Sequence, residues 1–241
     1  MTGTFKALSA LLTYPTRAMQ EAIPEIAAAI DREALLPAVI RRQLDMLLGE
    51  IAAGDLYDIQ ERYVLLFDRT RSLSLHLFEH VHGESRDRGQ AMIDLKSQYE
   101  NAGLAISAAE LPDFLPLFLE FLSMRPRAEA YEMLGQPAHI LAAFAERLRK
   151  RHSAYEAVFR ALVALAASKP DGAEISALLE QPDPDASDLA ALDAAWEDEP
   201  VSFGPNAGSA CKDGIIAKIR AGRRAAPGMT PAPSGPVMPR P

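Results

Sequence analysis

The sequence predicts an all-α protein, and two observations carry that prediction. Apolar residues recur at steps of three and four along most of the chain, the repeat that lines one face of a helix. Alternating runs of β-branched residues are absent, and neither Asp171-Gly172 nor Asp213-Gly214 joins two apolar runs as a hairpin turn would. The elements follow in order. Short helices are expected at 4–13 and 17–30. Ile40, Leu44, Leu47, Leu48 and Ile51 form a stripe that stops at Gly54, a helix terminator. Asp55 then offers an N-cap for a second stripe, Leu56, Ile59, Tyr63, Leu66 and Phe67. Residues 69–85 break the pattern and predict a short helix flanked by loops, followed by a helix over 86–101. Phe114, Leu117, Phe118, Phe121 and Leu122 make a further stripe, opened by Pro112 and Asp113 in its first turn and closed before Pro126. Two more pair Ile140, Leu141, Phe144 and Leu148, then Tyr155, Val158, Phe159, Leu162 and Val163, before a last short helix at 173–180.

Composition narrows the function. With 25 Lys+Arg against 33 Asp+Glu, the net charge of −8 argues against a nucleic-acid binder, which needs a broad basic face. The single cysteine, Cys211, excludes a disulfide framework and any Cys-based metal cluster made by this chain alone. The opening MTGTFKAL lacks a basic n-region followed by an apolar run, and no stretch of about 18 apolar residues offers a membrane span. The expectation is one helical domain over 1–203, in the cytoplasm, with a Pro-containing segment at 181–200 that carries seven acids and no base. Residues 204–241 form a Gly/Pro-rich basic tail, for which disorder is expected. The acidic body suits a basic partner better than an acidic one.

The sharpest chemical motif is His76-Leu-Phe-Glu79-His80, an H-x-x-E-H pattern. In the zincins that carry it, two histidines four apart on a helix bind zinc and the glutamate activates a bound water. His82 offers a further ligand. A zinc hydrolase on His76, Glu79 and His80 is therefore one reading. The other is that these histidines cap loops, pair with neighbouring acids or line a groove. Gly83 and Gly89 bracket Glu84-Ser-Arg86-Asp-Arg88, where interleaved acids favour an Arg–Asp network over a phosphate loop. Nucleophile elbows, Walker loops and dinucleotide fingerprints are absent, so the chain does not read as an enzyme.

Surface and groove remain. Tyr63, Leu66 and Phe67 precede Asp68, Arg69 and Arg71, while Glu110 and Asp113 precede Phe114, Leu117, Phe118 and Phe121. Aromatic stripes of this spacing pack cores, and the acids beside them also suit a groove for an amphipathic peptide bearing basic residues.

Residues 63–123 resemble the redox-enzyme maturation chaperones of the TorD/DmsD/NarJ family. Tyr63-Val-Leu-Leu66-Phe67 is similar to the family's aromatic-x-x-L-F motif, and Glu110-Leu-Pro112-Asp113-Phe114 to its E-P-x-D-H hinge motif, with phenylalanine in the last place. The run from Phe67 to Gly89 resembles the signature of the family's nitrate reductase branch, as do Leu11–Pro15 and Trp196–Phe203.

The resemblance implies a helical bundle of that family's type and a dedicated chaperone with no cofactor or metal of its own. Its implied partner is the N-terminal segment of the nitrate reductase catalytic α subunit, or more widely the apo αβ complex. The chain would hold that client for metal-centre and molybdenum cofactor insertion before membrane docking, without entering the final enzyme. The site it implies comprises Tyr63, Leu66, Phe67, Asp68, Arg71, His80, Glu110, Pro112, Asp113, Phe114 and Leu117. A chaperone of another molybdoenzyme, a dimethyl sulfoxide or trimethylamine oxide reductase, is the alternative within the family.

Overall fold

The computed structural model describes residues 2–82, 86–107 and 110–183, excepting the side chains of His82 and Arg86. The expectations for Gly83, Cys211, Trp196–Phe203, most of the acidic segment and the 204–241 tail lie outside the described residues. Among those described, eleven α-helices are present and no strand. They are α1 (Gly3–Leu11), α2 (Arg17–Glu33), α3 (Ala38–Ala53), α4 (Leu56–Tyr63), α5 (Leu77–His82), α6 (Arg86–Asn101), α7 (Leu115–Ser123), α8 (Arg127–Gly135), α9 (Ala138–Lys150), α10 (Glu156–Leu165) and α11 (Gly172–Leu179).

Two helix groups share one core. In the first, α1 packs on α2 and α7. Phe5, Leu8, Leu11 and Leu12 are wholly buried, and the Ser9 hydroxyl donates to Pro116 O at 2.6 Å. The Glu33 carboxylate at the end of α2 caps α1, accepting from Gly3 N at 2.7 Å and Thr4 N at 2.8 Å. In the second group, α9 packs against α10 and α11, and α10 leans on α3. Phe144, Phe159, Leu162 and Leu44 are wholly buried there. Each such side chain contributes on the order of 1.5–3 kcal/mol by leaving water.

Two sequence expectations are corrected, and one helix stands outside them. The stripe over 56–67 is not one α-helix: after Tyr63 it widens into a π turn, Val64–Asp68, where Arg69 N donates to Val64 O at 2.9 Å. The Thr70 hydroxyl draws Leu65 O out at 2.7 Å, which an ordinary helix would have committed to an amide. Pro112 and Asp113 do not open α7: the helix begins at Leu115 with Pro116 in its first turn, and Phe114 stands at its N-cap. The cause is a bridge between the 74–78 and 113–115 segments, where Leu115 N donates to Leu75 O at 2.9 Å and Leu77 N to Asp113 O at 3.1 Å. Finally, α8 was not anticipated, because it buries only Ala130 and Leu134 and so shows no stripe.

Candidate functional site

The π turn, the 74–78 segment and the start of α6 surround an open cleft of about 640 Å³. Tyr14, Tyr63, Val64, Phe67, Leu75 and Phe114 form its apolar lining. Asp68, Arg71, Ser74, His76, Glu79 and Arg88 supply the polar side. The apolar part is the surface of an aromatic stack. Tyr14, 49% exposed, meets the edge of Tyr63 at 5.7 Å between ring centroids. Tyr63 touches Phe67 at 5.1 Å, and Phe67 touches Tyr155 at 5.1 Å and Phe159 at 6.2 Å. The Tyr63 hydroxyl is spent inward, donating to Leu12 O at 2.8 Å, and burial pushes its pKa up.

The polar side is organised by a carboxylate that never reaches it. Asp113 has no exposed surface. Its Oδ2 accepts the Phe78 N–H at 3.1 Å, and its Oδ1 lies 3.3 Å from His76 Nδ1. Hydrogen bonding of the His76 ring to the Asp113 carboxylate is the main cause that raises the His76 pKa, against an opposing cost of burial. The His76 ring also lies against Phe114, with centroids 5.3 Å apart. Beside it, Arg88 of α6 reaches Glu79 of α5 at 3.4 Å. This is an arginine–glutamate tie between two helices, while the loop expected to hold an Arg–Asp network, 83–85, and the Arg86 side chain lie outside the described residues.

The H-x-x-E-H residues do not form the zincin arrangement. His76 precedes α5 instead of riding on it. His80 turns the other way, its Nε2 2.9 Å from Ser74 O and its ring 4.8 Å from that of Phe144. Burial lowers the His80 pKa, disfavouring the charged imidazolium. Among the described residues, no three His, Cys, Asp or Glu side chains gather as a metal would require.

Of the residues expected at the site, Tyr63, Phe67, Asp68, Arg71 and Phe114 come together on the cleft. Leu66 packs in the core beneath it, and Leu117 is partly buried against that core. Pro112 is buried, its carbonyl accepting from the Tyr99 hydroxyl at 2.8 Å. Glu110 is exposed and outside the lining, while His80 and Asp113 stand behind it. Tyr14, Glu79 and Arg88 were not expected there. The only sequence signal for Tyr14 was its place in the Leu11–Pro15 run. The cleft is not acidic as the body is: Asp68 and Glu79 face Arg71, Arg88 and His76.

Comparison with known proteins adds a second line. The nitrate reductase delta subunit family profile matches residues 16–161. The chain is 43% identical over 209 residues to the nitrate reductase molybdenum cofactor assembly chaperone NarJ of Escherichia coli K12, covering 87% of each chain. It is 39% identical over 206 residues to the probable assembly chaperone NarW of the same organism, covering 86% of each. A probable NarJ of Bacillus subtilis is 32% identical over 165 residues, 67% of this chain and 86% of that one.

Proposed function

The chain belongs to the nitrate reductase delta subunit family and serves as a chaperone in nitrate reductase maturation, and we propose that it acts by seating its client's N-terminal segment in the Tyr14–Phe114 cleft. The client segment is that of the catalytic α subunit, taken up as an amphipathic helix in the cytoplasm and held until the metal centres and molybdenum cofactor are in place. The observation that carries this reading is the cleft itself: an apolar floor of aromatic rings, already packed, with charged side chains of both signs along one side. That is the chemistry of a groove for a helix with one apolar face.

Energetics fit a carrier. A fully buried leucine- or phenylalanine-type anchor contributes about 1.5–3 kcal/mol. Four at the upper end, less an association cost of about 4 kcal/mol, leave about 8 kcal/mol, a micromolar complex. Such a complex holds a client and still lets it go. Relatives named for nitrate reductase assembly across 87% of their length favour that client over other molybdoenzymes. They are named for assembly, not for a reaction, which favours a chaperone over a zinc hydrolase. No described helix is long and apolar enough to cross a membrane.

Calorimetric titration with a peptide of the α subunit's first twenty or so residues tests the reading. Saturable binding is expected for the native order alone. Equal binding of a scrambled peptide, or none of either by folded protein, would sink it.

A further inference from the structure

The turn that carries Asp68 and Arg71 to the cleft is tied from behind by residues that do not line it. The Thr70 hydroxyl, wholly buried, donates to Leu65 O in the π turn and lies 3.3 Å from Arg151 Nη1. Arg147 of α9, 1% exposed, donates to Ser72 O and to Leu178 O, both at 2.6 Å. Asp183, just beyond α11, accepts from Arg151 Nη2 at 2.5 Å and from the Ser72 hydroxyl. Arg71 thus lies between two residues bound into this network, while its own side chain lines the cleft.

We infer that Asp183 is a positioning residue for client binding: it clamps the Thr70–Leu73 turn and thereby sets how Arg71 meets the client. The inference rests on the reading of the cleft as the client site. A surface ion pair alone would carry little, since water and salt screen it. Asp183 does more, because two guanidiniums stand behind the turn. Arg147 is buried among carbonyl oxygens, its Nε without a partner, and the Asp183 carboxylate is the charge that counters the cost of burying it. Arg151 beside it repels it. Without Asp183 the buried Arg147 loses the charge that counters its burial, and the turn loses its hydroxyl tie at the same time. The chain leaving α11 is therefore coupled to the cleft through the Asp183 carboxylate.

The test uses the full chain and two readouts. Hydrogen exchange over residues 64–76 is expected to quicken in Asp183→Asn and Arg151→Gln, with α1 and α10 unchanged. Unaltered protection there overturns the clamp. Titration with the α-subunit peptide is expected to show roughly threefold to thirtyfold weaker binding for Asp183→Asn, the range for a residue acting through a packed network. Asp183→Glu should restore most of it. In an Arg71→Gln background, Asp183→Asn should cost nothing further. An undiminished cost in that background, or no cost in the wild-type background, overturns the inference while leaving the client reading intact. Failure of the unsubstituted protein to bind the peptide overturns both.

Discussion

His76 Nδ1 faces the Oδ1 of Asp113 across 3.3 Å, and that carboxylate has no exposed surface of its own. Its second oxygen is committed to the Phe78 N–H, so Asp113 is oriented by the backbone before it meets the histidine. Asp113 therefore acts on the cleft through His76 and contributes no surface to it. It also joins the end of the 74–78 segment to the start of α7.

The pair makes stability depend on pH with a definite sign. Asp113 raises the folded-state His76 pKa above 6.5, so its stabilisation is complete below about 6.5 and fades as pH rises through the folded value. His80 works the other way: burial lowers its folded pKa, so stability is lost as pH falls below about 6.5. NMR titration should find His76 above and His80 below the usual imidazole value, with His76 falling back in Asp113→Asn. An ordinary His76 pKa in the unsubstituted protein would refute the assignment.

Client contact and core packing separate by position in the aromatic stack. Phe67 is 6% exposed, so Phe67→Ala should cost about 3–5 kcal/mol of stability by urea denaturation as well as weakening peptide binding. Tyr14, 49% exposed, should lose under about 1 kcal/mol on change to Ala yet bind peptide several-fold more weakly. Unchanged affinity in Tyr14→Ala would remove the cleft mouth from the site.

Arg147 spans two carbonyls on separate elements, Ser72 O and Leu178 O. A lysine carries the charge but not the planar fork that reaches both. Arg147→Lys should therefore cost about 1–3 kcal/mol, the penalty of leaving a buried acceptor unmet. Denaturant midpoints would measure it, and an unaffected midpoint would mean water replaces the lost donor.

The end of α2 offers a stabilising change. Ala34 adopts the left-handed conformation, φ 48, that a Cβ disfavours. Ala34→Gly is expected to raise stability by about 0.5–1 kcal/mol, read from thermal unfolding. Gly54 is the reverse case. Its φ of −77 is ordinary, but an added Cβ would meet Glu50 O at 2.7 Å, so the glycine answers a close approach and not a left-handed turn.

What the sequence determined by itself was the periodic part: the stripes of α3, α9 and α10 could be read because each buries residues at steps of three and four against one face. The aromatic and polar partners Tyr63, Phe67, Asp68, Arg71 and Phe114 were legible for the same local reason, together with the resemblance they carry. Tertiary structure decided the rest. That Asp113 is buried behind His76, and that Arg147 and Asp183 brace the turn beside Arg71, are contacts between residues far apart in the chain, and the meeting of Arg88 of α6 with Glu79 of α5 depends on how two separate helices pack. Helical period says which face a side chain shares with its neighbours along the helix. It says nothing about which distant carboxylate or carbonyl that face will meet, and only the packing of the elements settles where a buried charge finds its partners.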